Sequence, residues 1–407
     1  MPIPPSISDV LPQQWAALLD AYEKLGPSDR YLYWDELAGQ EAPAGVSAEV
    51  WWAALKLSRS PRTHCLPFRD HQGRSFRFCV PDLLLARLHH LDRLPDAPGI
   101  GADEIRRLAA KALVREAIGS ARLAGAEIRD EAARELLRLG RPPEGDSERI
   151  VANLHRALEL TGEWRGRNLH PGDLSELHRT LLAGLPTTPV VADPAGPGHP
   201  PDAELAGRLE PICALANGEI PKEFIHPFVR AAVLSFLIAH ERLFADGNGR
   251  LARLVFRWAL LRRGYSRFDL LAPSAALAVA PAACAESLAR ADDDDGDATY
   301  SILHQADAVQ AAEQTLQDDL RRAREQLRRA GASVPALAEL NPRQQALLAH
   351  ALRHPGAVYV IAGHQRSHGV THQTARCDLF SLVRRGLLAA GREGRTYRFR
   401  AGPRLMD

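Results

Sequence analysis

The stretch Asp246-Gly247-Asn248-Gly249-Arg250, with a second arginine at Arg253, has the residue types of an anion site. Glycines on either side of Asn248 permit backbone conformations with φ > 0, in which successive N–H groups converge on one concavity. The residues that follow, "RLARLVFRWALLRRGY", have helical spacing. The concavity therefore falls at a helix N-terminus, where open amides and the helix dipole both favour negative charge. Arg250 and Arg253, three residues apart, share a helix face and present two forked donors to phosphate oxygens. Asp246 adds a hard oxygen suited to Mg2+ beside a diphosphate. Spacing alone leaves a second reading open: a Gly-Asn-Gly turn between two helices, with the arginines facing solvent.

The elements that must position these residues are mostly helical. "IHPFVRAAVLSFLIAHERLF", which leads into the loop, is the most apolar helical stretch and is expected at the centre. "DEIRRLAAKALVREAIGSARLAGA" places Ile105, Leu108, Ala109, Ala112, Leu113 and Ala117 on one face. "DSERIVANLHRALELTGEW" starts at a capping candidate, Asp146 or Ser147, and "HPGDLSELHRTLLAG" is a short helix closed by Gly184. Nearer the amino terminus, "EVWWAALKLSRS" is helical and "DHQGRSFRFCVPD" alternates around a glycine turn as a hairpin. "PTTPVVADPAGPGHPPDAE" reads as a loop or hairpin around Val190 and Val191. "ADDDDGD" (291–297) is expected as a solvated acidic loop, with a metal site as the alternative. "AVQAAEQTLQDDLRRAREQLRRAG" is a long charged helix closed by Gly331, an arm or connector.

With 407 residues the chain has room for two or three domains, and 45% hydrophobic with 25% charged residues is ordinary for a globular protein. No apolar run approaches the roughly 20 residues of a membrane helix, and "MPIPPSISDV" lacks the pattern of an export signal. The five cysteines form no C-x-x-C pair. A cytoplasmic location is expected, with no disulfide framework or structural zinc. Charge is unevenly spread. Residues 341–407 hold 11 arginines, no lysine and three acids, net +8, which leaves −7 on the other 340 residues. That asymmetry points to a polyanion as partner of the tail alone.

The tail has its own organisation. "LNPRQQALLAHALRHPG" starts with Asn341 as cap and Pro342 at the first helical position. "VYVIAGHQRSHG" is a short helix ended by Gly369, and "VTHQTARCDLFSLVRRGLL" is a third, capped by Thr371. "LLAAGREGRTYRFRA" is a hairpin. Three helices and a β-wing make a winged helix-turn-helix, with DNA as the expected partner. His372, Gln373, Thr374 and Arg376 would face the major groove, and Arg392, Arg395 and Arg398 on the wing would meet phosphate. The other reading is the same fold used for protein contacts.

The loop resembles the signature of the Fic (Fido) family, H-x-F-x-[DE]-G-N-[GK]-R-x-x-R. Seven of its eight specified positions match: Phe244, Asp246, Gly247, Asn248, Gly249, Arg250 and Arg253. "EAIGSARLAGAEI" resembles the inhibitory helix of one bacterial subgroup, and a C-terminal winged helix recurs in it. The resemblance implies a mainly α fold: a Fic-type helical core with a small β-hairpin flap, plus an N-terminal extension and a C-terminal winged helix. Expected domains are 1–100 (extension), 101–300 (Fic), 301–340 (connecting helix) and 341–407 (winged helix). It implies transfer of AMP from ATP to a hydroxyl of a target protein at the flap, with no membrane partner, and makes a homodimer plausible. Asp246 would bind Mg2+. Phe244, Gly247, Asn248, Gly249, Arg250 and Arg253 would form the site for ATP or another nucleotide.

Three departures point one way. The family's base, a histidine, is replaced by Arg242, whose guanidinium stays protonated and cannot accept a proton. Losing a general base costs about 10²–10⁴-fold in rate. His240 is the alternative base, two residues away and so about 200° round a helix from position 242. The inhibitory glutamate of the pattern [ST]-x-x-x-E-[GN] is replaced by Ala124 in Ser120–Gly125. The flap, "LLAGLPTTPVVADPAG", is shortened or altered before Pro189. Loss of base and clamp together fits a catalytically degenerate protein that retains a nucleotide or phosphate site. The alternative is an adenylyltransferase with a non-standard base and no autoinhibition.

Overall fold

The computed structural model describes residues 4–6, 12–25, 30–43, 46–70, 72–94, 102–186, 202–333, 340–354, 356–393, 396–402 and 405. The expected flap strand at Val190 and Val191 and the wing residue Arg395 lie outside these. Among the described residues no helix is long and apolar enough to cross a membrane. The chain divides into two compact units, Met1–Glu313 and Gln314–Asp407.

The first unit opens with α1 (Trp15–Glu23), α2 (Trp34–Ala38) and α3 (Ala48–Arg59). A hairpin of β1 (Thr63–Arg69) and β2 (Ser75–Cys79) and then α4 (Asp82–Arg93) complete the extension. The hairpin expected around Gly73 is there, antiparallel, with an irregularity between Cys65 and Arg69. The helical body follows: α5 (Ala102–Leu123), α6 (Asp130–Leu139), α7 (Asp146–Glu163), α8 (Pro171–Leu182), α9 (Asp202–Asn217), α10 (Pro227–His240) and α11 (Asn248–Arg262). After these come α12 (Pro273–Leu277), α13 (Pro281–Asp293) and α14 (Thr299–Ser333). The architecture is mainly α, as the periodicities require.

Burial follows from composition. Every residue of α10 from Phe228 to Ile238 is buried, and α11 packs along it with Leu251, Leu254, Val255, Phe256 and Trp258 inside. An all-round apolar helix has no polar face to offer water, so it occupies the centre.

The acidic run 291–297 is only in part the solvated loop expected: Asp292 and Asp295 are exposed, whereas Asp294 and Asp297 are buried. Asp294 is 2% exposed, paired with Lys56 and accepting from Tyr300 Oη at 2.8 Å. Asp293 accepts from Tyr33 Oη (3.1 Å), Asp297 from Tyr31 Oη (2.7 Å), and Asp295 pairs with Arg77 (2.8 Å). The run is the turn on which the N-terminal extension is fastened. Asp293, Asp294, Asp295 and Asp297 each find a cation or phenol from residues 31–77, which is what makes the burial of Asp294 and Asp297 tolerable, while Asp292 meets His240. No group of three or more His, Cys, Asp or Glu that could hold a metal ion exists among the described residues.

The second unit contains the end of α14, then α15 (Pro342–Arg353), α16 (Ile361–His368), α17 (His372–Arg384), β3 (Leu388–Glu393) and β4 (Thr396–Ala401). The long helix runs past Gly331 to Ser333 instead of closing there. Leu347, Leu348, Ala375, Leu379, Leu382 and Phe399 form the core, and Tyr359 makes a single antiparallel bridge to Phe399. Asn341 and Thr371 cap α15 and α17 as expected, and Gly369 ends α16 at φ 60°.

Candidate anion-binding site

The glycine loop joins the two central helices. α10 ends at His240, Glu241 is its cap, and Arg242 turns the chain with φ 45°. Arg242 therefore lies off the helix, and the expected 200° relation to His240 does not apply. Its side chain is exposed. Gly247 then adopts φ 82°, ψ −1° and caps α11, a conformation in which a side chain is strained.

Two side chains clamp the loop shut. Asn248 Nδ2 donates to the Phe244 carbonyl (2.6 Å) and its Oδ1 accepts from the Phe244 amide (3.0 Å). Asn248 thus braces the loop with its side chain and offers only its backbone amide to a ligand. Asp246 Oδ1 accepts from the Gly247 amide (2.5 Å), and Oδ2 accepts from Arg250 Nη2 (2.7 Å). The first-turn amides of α11, on Asn248, Gly249 and Arg250, have no intrahelical acceptor.

Arg250 is 5% exposed, and its Nη1 is buried with no hydrogen-bond partner among the described residues. A buried cationic donor left open is costly unless something anionic meets it. Arg253 is tied to α5: Nε donates to Ser120 Oγ (2.9 Å) and Nη2 to the Ser120 carbonyl (3.0 Å). Burial pulls its pKa down to about 10, against the stabilising charge of Glu116. Glu116 itself is buried and raised, although the Ser274 amide and hydroxyl both donate to it. Arg253 and Gly249 border a cavity of 270 Å3 lined further by Ala252, Ser235, Cys284 and His304.

Ala124 lies just beyond α5, exposed in the turn that ends at Gly125 (φ 83°). The serine of the inhibitory pattern, not the residue at its glutamate position, holds the second arginine.

His240 faces elsewhere. Its Nε2 meets Asp292 Oδ1 at 2.5 Å, and its ring packs edge-on against Phe76 with centroids 4.9 Å apart. Burial alone lowers its pKa, but hydrogen bonds and charge from Asp292 and Glu241 outweigh this and raise it to about 9.

Sequence reasoning missed His178. This residue of α8 stacks on Phe244, with centroids 3.8 Å apart and 11° between planes. Its Nε2 lies 2.9 Å from the Asp246 carbonyl. Burial, opposed by that carbonyl, holds its pKa below the usual histidine value. Nothing in the local pattern of α8 marks it; only the packing of α8 against the loop does.

As to a metal, Asp246 is the one carboxylate of the loop, and both its oxygens already accept hydrogen bonds. It fits Mg2+ only as a companion of bound phosphate, the usual arrangement where one carboxylate and phosphate oxygens share the ion.

In the second unit, His372, Gln373 and Arg376 are exposed on α17. Thr374 is half-buried, its hydroxyl engaged with that of Thr371 at 2.9 Å. Arg392 and Arg398 are exposed on β3 and β4. Arg400, also exposed on β4, was not singled out from sequence.

Comparison with known proteins adds a family to this geometry. The chain is similar in structure to a Fic family protein from Desulfovibrio desulfuricans G20 (17% identity, 78% of this chain and 94% of that one, TM-score 0.49). It is also similar to a Fic domain-containing signalling protein from Bacteroides thetaiotaomicron VPI-5482 (19%, 57% and 92%, TM-score 0.43). Fic-1 from C. elegans is a further likeness (20%, 57% and 69%, TM-score 0.45). No curated protein matches the chain. The model of the Fic/DOC family matches residues 168–260, the segment that contains α8, α9, α10, the glycine loop and all but the last two residues of α11. Residues 168–260 of this chain are a Fic/DOC domain.

Proposed function

We propose that the Fic domain binds a nucleotide, or another phosphate-bearing ligand, at the N-terminus of α11, and that it transfers AMP poorly or not at all. One observation carries the binding: Arg250, nineteen-twentieths buried at the start of α11, has an Nη1 with no hydrogen-bond partner among the described residues, next to first-turn amides that have no intrahelical acceptor. Gly249 and Arg253, in the first turns of the same helix, border a cavity of 270 Å3. Mg2+, when bound with the phosphates, would be held by Asp246 and would screen their charge.

Weak transfer follows from the loop's own residues. Arg242 accepts no proton, and His240 is held by Asp292 against Phe76. The tail supports a winged-helix reading in which α17 and the β3–β4 wing contact DNA. Its exposed His372, Gln373, Arg376, Arg392 and Arg398 suit that role, and Arg395 belongs to the same wing.

Calorimetric titration with ATP and Mg2+ tests binding. Heat is expected from the wild type and should be lost in Arg250→Ala; no heat at millimolar ATP sinks the nucleotide reading. Incubation with labelled ATP tests transfer. Little self-labelling is expected, and Arg242→His should raise it by about 10²-fold or more if the remaining site is intact. Strong labelling of the wild type would establish an active transferase instead.

A further inference from the structure

The loop's anion-facing geometry hangs on one peptide unit. Gly247, at φ 82°, is free of the steric limits that fix other residues, so the Asp246–Gly247 peptide has two accessible orientations. In one, the carbonyl turns outward and the Gly247 N–H turns toward Asp246 Oδ1 and Arg250. In the other, the carbonyl oxygen faces that cationic side, and its partial negative charge opposes an incoming phosphate. C=O and N–H of a planar peptide point in opposite directions, so fixing one fixes the other.

The structure shows what fixes it. The Asp246 carbonyl lies 2.9 Å from His178 Nε2. A carbonyl can only accept, so Nε2 carries the proton, whatever the charge on the ring. The ring is itself held, stacked on the buried Phe244 at 3.8 Å. A Cβ on Gly247 would come within 3.5 Å of His178 Cδ2, so the histidine also backs the glycine. On the far side of the same peptide, the Gly247 amide is in contact with Asp246 Oδ1 (2.5 Å), which shares its carboxylate with Arg250. That carboxylate takes two donors a phosphate would also use. An arriving anion must draw Asp246 away, and then, among the described residues, only His178 still holds the peptide.

We propose that His178 is a positioning residue of the anion site: by accepting no ligand itself but donating to the Asp246 carbonyl, it keeps the Gly247 N–H on the phosphate side. This rests on the nucleotide-binding reading above and deepens it. It also separates two contributions that one side chain combines, the stack on Phe244 and the hydrogen bond to Asp246.

The test is ATP and inorganic phosphate titration of the full chain, with thermal unfolding measured in parallel. His178→Phe keeps the stack and removes the donor; it should hold Tm near wild type while weakening both ligands about tenfold or more. His178→Gln retains an N–H donor without the aromatic stack, and should recover part of the affinity despite a lower Tm. Affinity that follows Tm across these variants, or is unchanged in His178→Phe, overturns the positioning role while the nucleotide reading stands. Wild-type protein that binds neither ligand overturns both.

Discussion

Arg242 has φ 45°, a region in which a non-glycine residue sits at a cost of about 1–2 kcal/mol. Helices commonly end on such a left-handed residue, and glycine is the usual occupant. Arg242→Gly should therefore stabilise the protein by about 0.5–1 kcal/mol in chemical denaturation, the relief of strain offset in part by glycine's greater unfolded-state entropy. A loss of stability would mean that the Arg242 side chain contributes more than its backbone costs. His240, two residues earlier, predicts a pH dependence. Its pKa is raised to about 9 in the fold by Asp292 and Glu241, despite burial, from about 6.5 in an unfolded chain. A raised folded pKa means that its contribution is complete below pH 6.5 and is lost as pH rises through 9. Unfolding free energy should fall between pH 6.5 and 9, and His240→Gln should flatten that slope. An equal slope in the variant would assign the pH dependence to other groups.

Elements bring these residues into register through a few close approaches. α5 carries Ser120 to Arg253 and is held to α12 at Gly119, where any Cβ would overlap the backbone of Ser274 and Ala275. Gly119→Ala must push the two helices apart and should cost about 2–3 kcal/mol, read as a drop in denaturation midpoint. The same displacement would loosen Ser120 from Arg253, so ATP affinity should change with it; an unaffected midpoint would show that the contact relaxes freely. Much of this scaffold was legible in sequence. The apolar run of α10 could only be central, and two glycines around Asn248 with arginines at 250 and 253 marked the loop. The caps at Asn341, Thr371 and Gly369 were readable because capping is local. What escaped was non-local. His178 is 68 residues from Asp246, on a helix with ordinary amphipathic spacing. The acidic run looked solvated because its partners, Tyr31, Tyr33, Lys56 and Arg77, lie more than 200 residues away. The Ser120 clamp on Arg253 was hidden because the pattern drew attention to position 124.

Across the whole molecule, charge is unevenly spread, so the proposed nucleotide and DNA sites make separate predictions. Residues 341–407 carry a net +8 and the remainder −7. A mildly acidic body repels a nucleic acid, so any duplex must engage the second unit alone, and its affinity is set by how many phosphates the arginines neutralise. Each phosphate contact releases about one counterion, so affinity falls linearly in log–log form with salt. The full chain should bind duplex DNA with such a slope, and Arg392→Ala with Arg398→Ala should reduce it by about two, one per arginine. Arg376→Ala, on α17, should weaken binding with a greater loss on preferred sequences than on random ones. ATP affinity should be the same in both variants, since Arg250 and the α11 amides belong to the first unit. The reciprocal experiment closes the case: Arg250→Ala should leave the salt slope where it was. A slope that ignores the wing arginines would move the phosphate contacts off the wing, and no slope at all would turn the second unit into a protein-binding module, because a surface of this charge that gains nothing from counterion release is not reading phosphate.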